Sequence, residues 1–354
     1  MKYNYSFPAV KGTQAKSEYF ICMIPCGLLA KIFILESNDI LPEYRAQRKI
    51  NYLRIPEMKK YILSNRDSYV FSALAASIDG EFSFKETIAN SGIGLLEVDM
   101  NATFLINDGQ HRKTAIQEAI LEDSSIADET IPVVFFKDKG LVRSQQMFTD
   151  LNKHAVNTSK SLNTLYDSSN EIAILTKNIV NNIKFFKIYT DKENDTLGKF
   201  SQKLFTLNNF YNANLKLLNG INLNQENKEF VNDFWNILSE SIVEWNGLEK
   251  RTITKKSLRE DYIVTQGVVL LAFGKLGNYL LNNREKYSIE KYLPKLNNIN
   301  WSRNCEIWEN RTIVNGKISR KEENITLTYI QIKKQIGLPI TDKEKALDKK
   351  IKRR

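Results

Sequence analysis

The feature that most constrains the fold of this chain is a change of hydrophobic periodicity near residue 165. Before it, short β-rich stretches alternate with segments of helical spacing, which is typical of an α/β or α+β unit. After it, apolar residues recur almost only at helical spacing, as in "EIAILTKNIVNNIKFF" and "DYIVTQGVVLLAFGKLGNYLL". We therefore predict an α+β protein with an α/β N-terminal domain followed by a mostly α-helical C-terminal domain. Strands are expected at 19–24, 30–36, 94–98, 103–106 and 131–136, and the early helices at about 43–64, 110–121 and 141–152.

The length of the chain supports more than one domain. It has 354 residues, of which 42% are hydrophobic, so it can bury a substantial core and form two or three units. We predict one domain over 1–167, a helical domain over 168–300 and a C-terminal segment over 301–354.

The charge of the chain favours an anionic partner. Lysine and arginine number 51 against 41 acidic residues, and this excess of +10 biases the field toward polyanions such as nucleic acid. A plain basic surface is the alternative. The three cysteines, Cys22, Cys26 and Cys305, lack paired zinc spacing and do not form an even set, so neither a metal site nor a disulfide framework is predicted.

One apolar run needs to be distinguished from a membrane segment. In "YFICMIPCGLLAKIFIL", residues 19–35, Pro25, Gly27 and Lys31 interrupt the run well short of the roughly 20 residues that span a bilayer. The preceding residues lack the apolar centre and cleavage site of a signal peptide. We expect a cytoplasmic protein without a membrane partner.

The stretch "LINDGQHRKTAIQEAI", residues 105–120, carries the densest polar chemistry of the chain. Asp108 and Gly109 predict a sharp turn between a strand and a helix, with Asp108 able to cap the helix amides. A helix that begins after a glycine turn presents free N–H groups and a partial positive charge, which suits a phosphate.

Arg112 and His111 in this stretch are candidate site residues. Arg112 heads the apolar stripe of the helix, where a guanidinium is costly unless it meets an anion. That anion is either a bound phosphate or a protein carboxylate such as Asp108, and the sequence leaves both open. His111 lies on another azimuth and suits a general base or a neutral donor.

The pentapeptide "DGQHR" at 108–112 also carries a family resemblance. The sequence resembles the DndB family of the bacterial DNA phosphorothioation (sulfur modification) system. Further stretches resemble that family along nearly the whole chain, namely "VKGTQAKSEYFICMIP", "YRAQRKINYLRIPEMKKYI", "YVFSALAASIDG", "FTDLNKHAVNTSKSLN" and "NITLTYIQIKKQIGLPIT". The first domain more broadly resembles the ParB/sulfiredoxin-like fold, in which an arginine after a comparable turn meets nucleotide phosphates.

This resemblance implies a DNA-binding repressor of the modification genes whose release from DNA is modulated by ATP, bound or hydrolysed at the DGQHR site with or without Mg²⁺. Asp108, Gln110, His111 and Arg112 would be the catalytic residues, which makes the chain a candidate ATPase. Gly109 and Arg48 would complete the environment of the phosphates, and Asn152 and Lys153 would complete a phosphate or metal environment. Related restriction proteins carry "DGQQR", so the histidine at 111 departs from their pattern and leaves its role open. The chain has no P-loop and no G-x-G-x-x-G motif.

Basic residues outside the turn are candidates for DNA contacts. One group precedes a helix in "RTITKKSLRE", and another ends the chain in "KEKALDKKIKRR". The break at Gly337-Leu338-Pro339 predicts a helix-turn-helix-like pair before this tail, and "VNGK" at 314–317 predicts a turn. The candidate DNA-binding residues are Lys255, Lys256, Lys349, Lys350, Lys352, Arg353 and Arg354.

Two classes of function are open at this point. The first is the DNA-binding regulator, with promoter duplex DNA as its partner, other DNA sulfur-modification proteins as further partners and a homo-oligomer as its state. The second is a nucleotide hydrolase or nuclease component of a DNA modification and restriction defence system. Few carboxylates that suit a metal lie near the motif, which disfavours DNA cleavage.

Overall fold

The structure, a computed structural model, describes residues 3–33, 50–137, 140, 146–147, 150–151 and 158–351. The chain forms two compact units, Met1–Val156 and Asn157–Arg354. The predicted α+β class is confirmed, since a mixed sheet lies in the first unit and helices dominate the second. The domain boundaries expected at 167 and 300 stay predictions.

A seven-stranded mixed sheet forms the centre of the N-terminal unit, in the order β4-β5-β1-β2-β7-β3-β6. Only β3 and β7 pair in parallel; the other neighbours in this sheet are antiparallel. The strands are β1 (Asn4–Gln14), β2 (Ser17–Pro25), β3 (Leu74–Asp79), β4 (Phe82–Glu86), β5 (Ile93–Asp99), β6 (Thr103–Asp108) and β7 (Thr130–Lys137).

Helices α1 (Leu29–Ile32), α2 (Ile55–Ser64) and α3 (Gln110–Ile120) accompany this sheet. The described residues 146–147 and 150–151, within the helix expected at about 141–152, are also helical, and the remaining residues of that segment lie outside the described residues. Helix α3 buries Ala115, Ile116 and Ala119, the stripe that the sequence spacing predicts. The core beneath contains packed aromatic rings, such as Phe104 against Phe135 with ring centroids 5.5 Å apart. The sheet and α2 together hold α3 in place.

Some predicted elements of this unit are confirmed and one is wrong. The strands expected at 19–24, 94–98, 103–106 and 131–136 are present. The strand expected at 30–36 is wrong in its described part, because Leu29–Ile32 is a short helix that buries Leu29 and Ile32. A short apolar run does not distinguish a strand from a buried helical turn. Here the two buried residues, Leu29 and Ile32, are three positions apart, which is the spacing of one side of a helix.

The C-terminal unit is helical, with two small two-stranded sheets. Its helices are α4 (Lys160–Tyr166), α5 (Glu171–Asn182), α6 (Lys184–Tyr189), α7 (Leu207–Leu217), α8 (Gln225–Ser241), α9 (Val243–Glu249), α10 (Lys255–Glu260), α11 (Gly267–Asn282), α12 (Ile289–Tyr292), α13 (Glu322–Gln335) and α14 (Asp342–Ile351). Its strands are β8 (Thr190–Asp191), β9 (Phe205–Thr206), β10 (Ile313–Val314) and β11 (Lys317–Ile318). The turn expected at "VNGK" is confirmed, since Asn315 and Gly316 both have positive φ between β10 and β11.

One hydrophobic core runs through the helical unit, from Leu175 to Leu338. Helix α11 lies within it, and eleven of its residues are buried. Helix α7 approaches α11 so closely that a Cβ on Gly274 would lie 2.3 Å from the Ala213 carbonyl oxygen. Glycine at 274 therefore permits the helix contact at the centre of the unit. Across the described ranges, no helix is both long enough and apolar enough to cross a membrane.

Candidate functional site

The DGQHR turn joins β6 to α3. Gly109 separates the two elements with a φ of +103°, and a Cβ at this position would lie 2.4 Å from Leu74 Cδ2. A residue with a side chain would be strained here by both its backbone and its contacts. The predicted strand, glycine turn and helix are confirmed.

Arg112 is held by groups of the protein itself. Its side chain is 14% exposed, and Nη2 lies 2.5 Å from Asp108 Oδ2. Nη1 donates to the carbonyl oxygens of Ser72 and Ala73 at 2.7 and 2.8 Å and also contacts the Ser72 hydroxyl. The sequence left open whether the anion that meets Arg112 is a bound phosphate or a protein carboxylate. In the structure, the guanidinium pairs with the carboxylate of Asp108. The role of Arg112 toward a ligand stays a prediction.

Asp108 does not cap α3 in the way the sequence suggests. Among the described residues its carboxylate accepts a hydrogen bond from Arg112 and none from the amides of the first helical turn. Because the guanidinium lies four residues along the helix, the i and i+4 spacing brings it within reach of the carboxylate. The expected cap is therefore replaced by an ion pair.

His111 connects α3 to the residues that precede α2. Its Nε2 accepts a hydrogen bond from the Asn51 N–H at 3.0 Å, so this ring nitrogen is the acceptor in the contact. The side chain of Asn51 accepts in turn from the Leu53 N–H at 3.1 Å, at the start of a 3₁₀ turn. His111 therefore has a positioning contact, and its proposed role as a base stays a prediction.

A second side of α3 carries buried polar groups for which the described residues supply no partner. Gln110, Lys113 and Thr114 share this side because they are three and four residues apart. Gln110 and Lys113 are 6% and 3% exposed. Gln110 Nε2 and Thr114 Oγ1 have no hydrogen-bond partner, and no ion pair reaches Lys113 from any described residue. Burial lowers the pKa of Lys113. The sequence analysis named Gln110 but missed Lys113, whose signal was its position one turn further on the same side.

Three residues expected to complete this site lie outside the described residues. They are Arg48, Asn152 and Lys153. Behind the turn, the structure brings in a residue that the sequence analysis did not name. Asn107 is 2% exposed and donates through Nδ2 to Ser77 Oγ and Met147 Sδ, each at 3.0 Å. These contacts fix the end of β6 against β3.

A separate cluster of basic side chains lies in the helical unit. A cavity of about 820 Å³, which we call the basic cavity, is lined by five cations and one carboxylate. No ion pair joins any of the five to an acidic residue within the part of the chain that the structure describes. Two of them, Lys255 and Lys256, are DNA-binding candidates from the sequence. The charged lining residues are Lys199, Lys255, Lys256, Arg259, Arg303 and Glu260.

The loop at 198–203 forms one wall of the basic cavity, and Arg259 holds it. The guanidinium donates to the carbonyl oxygens of Gly198 and Ser201, both at 2.9 Å, and to that of Lys199 at 3.3 Å. Lys255 Nζ donates to Gln202 Oε1 at 2.7 Å. Because these acceptors are neutral, both cations keep their full charge toward the cavity.

The basic tail is only partly described. Lys349 is exposed on α14, whereas the Lys350 side chain and Lys352, Arg353 and Arg354 lie outside the described residues. The described part of α14 is anchored by its acids. Glu344 pairs with the buried Lys333 of α13 at 3.0 Å, and Asp348 pairs with Arg311 at 2.9 Å and with Lys334. The contribution of the tail to DNA binding stays a prediction.

Metal and cysteine chemistry find little support in the described residues. Within them, no group of three or more histidine, cysteine, aspartate or glutamate side chains is arranged to hold a metal ion. The three cysteines are free, and burial raises the pKa of Cys22 to about 12 and that of Cys26 to about 11. A thiol with so high a pKa is a poor nucleophile.

The structure is that of a two-unit α+β protein, in which a strand, a glycine turn and a helix belong to a mixed-sheet unit and a basic cavity lies in the helical unit. The family model described as DndB, DNA-sulfur modification-associated, matches residues 7–339. The chain therefore belongs to the DndB family, and the predicted family is confirmed. Searches of the curated proteins and of the solved structures found no match. The ParB/sulfiredoxin-like fold of the first unit stays a prediction.

Proposed function

We propose that this chain is a DNA-binding regulator of DNA sulfur modification that contacts DNA through the basic cavity of its helical unit. Membership of the family places the chain in DNA sulfur modification. The observation that carries the rest is the cluster of five cations around one concavity, none paired with an acid among the described residues. Cations without carboxylate partners remain available to replace the counterions of DNA phosphates.

The contacts of the DGQHR turn favour this location over the N-terminal unit. The Arg112 guanidinium already donates hydrogen bonds to Asp108 and to two backbone carbonyls. Lys113 is buried. A phosphate that approached this turn would have to displace an existing ion pair. One that approached the basic cavity would displace no ion pair of the described residues, only hydrogen bonds of Lys255 and Arg259 to neutral acceptors.

The test is the salt dependence of binding to duplex DNA, measured by fluorescence anisotropy between about 50 and 200 mM salt. We expect the Lys255→Ala/Lys256→Ala variant to bind more weakly and to have a log-log slope shallower by about 1.8, since each lost phosphate contact removes about 0.9. A matched control is Lys250→Ala/Lys286→Ala, which removes two exposed lysines of the same unit that do not line the cavity. An unchanged slope in the first variant, with wild-type melting, would contradict the proposal.

The tail needs a separate variant that leaves its anchors in place. Truncation before Glu344 would remove the partner of the buried Lys333, so a loss of binding could reflect a damaged unit. Replacing only the basic residues from Lys349 to Arg354 by alanine keeps Glu344 and Asp348. If the log-log slope becomes shallower in this variant and not in the Lys255→Ala/Lys256→Ala variant, the tail is the DNA contact.

A further inference from the structure

We propose that two copies of this chain associate through one face of the N-terminal sheet, the face opposite to helices α1, α2 and α3. The sequence predicts a homo-oligomer but assigns no surface to it. This dimer does not depend on the proposed function, because the sheet face lies in the N-terminal unit and contains no residue of the basic cavity.

Side chains of the central strands alternate between a buried and an exposed face. In β2, Phe20, Cys22 and Ile24 are buried in the core that the three helices share. Ile21 and Met23 point to the other side and are 39% and 53% exposed. The same alternation in β1, β5 and β7 brings more apolar side chains to this side. We call this set the apolar face, and its members are Pro8, Val10, Tyr19, Ile21, Met23, Ile93, Leu95, Pro132, Val134 and Phe136.

The strand register joins these side chains into a continuous patch. One row crosses four strands, because Val10 is the partner of both Ile93 and Ile21. Ile21 is in turn the partner of Val134 in β7. A second row lies two residues further along the strands, and its members are Leu95, Pro8, Met23 and Pro132. No charged residue belongs to either row.

An aromatic pair forms a third row. Tyr19 and Phe136 are partners in register, with ring centroids 6.0 Å apart. The Tyr19 ring lies across β1 at Gly12, where a Cβ would be 2.4 Å from Tyr19 Cζ. Glycine at 12 therefore lets the ring lie close to the sheet. The surface stays flat at this end, which suits packing against another sheet.

The chain covers the far end of this side of the sheet with its own residues. Asn107 of β6 donates to Ser77 Oγ and to Met147 Sδ, each at 3.0 Å, and all three residues are buried. Ser77 is the partner of Phe136, so the covered region begins where the apolar face ends. No described residue covers the apolar face in this way, since Val10 and Ile93 remain 50% and 47% exposed.

The size of the apolar face is that of an interaction site. Four strands about 4.8 Å apart and three rows about 7 Å apart give a footprint of about 400 Å². An exposed apolar patch of about 300–600 Å² is often functional. The footprint is about half of the roughly 800 Å² that each partner buries in a standard interface, so the polar rim of the patch would contribute the remainder.

The chemistry of the apolar face fits a second copy of the chain better than a nucleic acid. Its members include no cation for a phosphate, and Lys85 at its β4 edge already pairs with Glu97 at 2.7 Å. A two-fold dimer requires a patch that is complementary to itself, and an uncharged flat patch meets this requirement. Two such faces pack about 10 Å apart with interdigitated side chains. Val10 and Ile21, at the centre of the patch, lie nearest to the two-fold axis.

The first experiment measures association of the full chain without DNA by sedimentation velocity across about 1–100 µM. We expect the wild type to shift from monomer to dimer in this range. Ile21→Asp should weaken association at least roughly a hundredfold, because each dimer would bury two like charges near its axis. Val70→Asp adds the same charge at an exposed valine of this unit outside the apolar face, so it is the matched control and should not change association. Ile21→Thr keeps a β-branched strand residue and should weaken association even where aspartate disturbs folding.

The second experiment identifies the partner as another copy of the chain. Ile21→Asp and Ile21→Lys should each be monomeric alone and should regain association in part when mixed. The reason is that opposite charges would then meet across the axis within the Debye length of about 8 Å. A tag on one variant separates the mixed dimer by mass.

Three results would overturn the proposal. A wild type that stays monomeric at the highest concentration removes the dimer. A dimer that persists in Ile21→Asp, with wild-type melting, uses another surface. A monomeric wild type whose Ile21→Asp variant melts far below Val70→Asp shows that residues of the same chain cover the apolar face.

Discussion

Lys113 in the N-terminal unit and Lys333 in the helical unit are both almost completely buried, with 3% and 0% of their surface exposed. Burial lowers the pKa of each. Their surroundings differ, because Lys333 pairs with Glu344 at 3.0 Å and lies 3.8 and 5.2 Å from the ring centroids of Tyr279 and Tyr329. Lys113 has no comparable partner among the described residues.

The difference shows how the two units use buried charge. In the helical unit, the buried cation joins α13 to α14, and its desolvation is offset by a carboxylate and two rings. Beside the DGQHR turn, among the described residues, Gln110 Nε2 and Thr114 Oγ1 are buried without a hydrogen-bond partner, and the Lys113 side chain is buried without an ion pair. A natural sequence that keeps an uncompensated polar group in its interior usually does so near a functional or strained site.

The largest effect is expected when the compensated lysine loses its carboxylate. Glu344→Gln should destabilise the helical unit by about 3 kcal/mol, because removing one partner leaves a buried charge unpaired. Tryptophan fluorescence during urea unfolding reports on this unit selectively, since Trp235, Trp245, Trp301 and Trp308 all lie in it.

The control for this variant is Glu323→Gln, at an exposed acid in the first turn of α13. It should change stability by less than about 0.5 kcal/mol. A similarly small effect at Glu344 would show that the tyrosine rings alone hold Lys333, and the contrast with Lys113 would narrow.

A smaller effect is expected at Arg112, whose contacts join the DGQHR turn to the residues before β3. Arg112→Ala should cost about 2 kcal/mol, since it leaves the Ser72 and Ala73 carbonyls without their donor. Hydrogen exchange of the peptides that cover β6 and α3 should accelerate accordingly. Arg54→Ala, which removes an exposed arginine of the same unit, should leave exchange unchanged. If exchange is unaltered and ATP affinity is lost, Arg112 binds the ligand and does not stabilise the turn.

The smallest effect, and one of opposite sign, is expected at Lys113. Lys113→Met should stabilise the N-terminal unit by about 1 kcal/mol at neutral pH, because a buried cation with no ion-pair partner among the described residues is replaced by an apolar chain of similar length. Lys60→Met, at an exposed lysine of α2, is the control and should have no such effect. A destabilised Lys113→Met protein would reveal a favourable partner of the ammonium group.

The stability difference between Lys113→Met and the wild type should depend on pH, in a direction set by the lowered pKa of Lys113. Because burial lowers the pKa of Lys113, the folded state binds fewer protons than the unfolded state between the lowered pKa and about 10.4. Stability of the wild type therefore rises with pH through this window, and the advantage of Lys113→Met should shrink as pH approaches about 10.4. Hydrogen exchange corrected for its intrinsic pH dependence, or urea unfolding followed by circular dichroism, measures this. A constant difference would exclude titration of Lys113 as its origin.

Secondary-structure elements could be predicted from the sequence where residue type or spacing directly determines the backbone conformation. Gly109 after a β-rich stretch and before helical spacing was enough for the turn, and the spacing of Ala115, Ile116 and Ala119 was enough for the buried side of α3. Strands β1, β3 and β4 were not predicted. Strand β3 reads "LAASID", and its alanine and serine carry little β propensity, so only its pairing between β7 and β6 makes it a strand.

The sequence by itself therefore determined the family, the change from a mixed sheet to a helical unit, and the strand, turn and helix of the DGQHR motif, because all three depend on residue type and local spacing. Only the tertiary structure decided that Arg112 bonds to carbonyls about forty positions upstream and that Lys113 is buried with no ion-pair partner in the part of the chain that the structure describes. The same holds for the basic cavity, where Lys199, Lys255 and Arg303 meet although long segments separate them. Such contacts depend on how distant segments pack, which a single sequence does not specify.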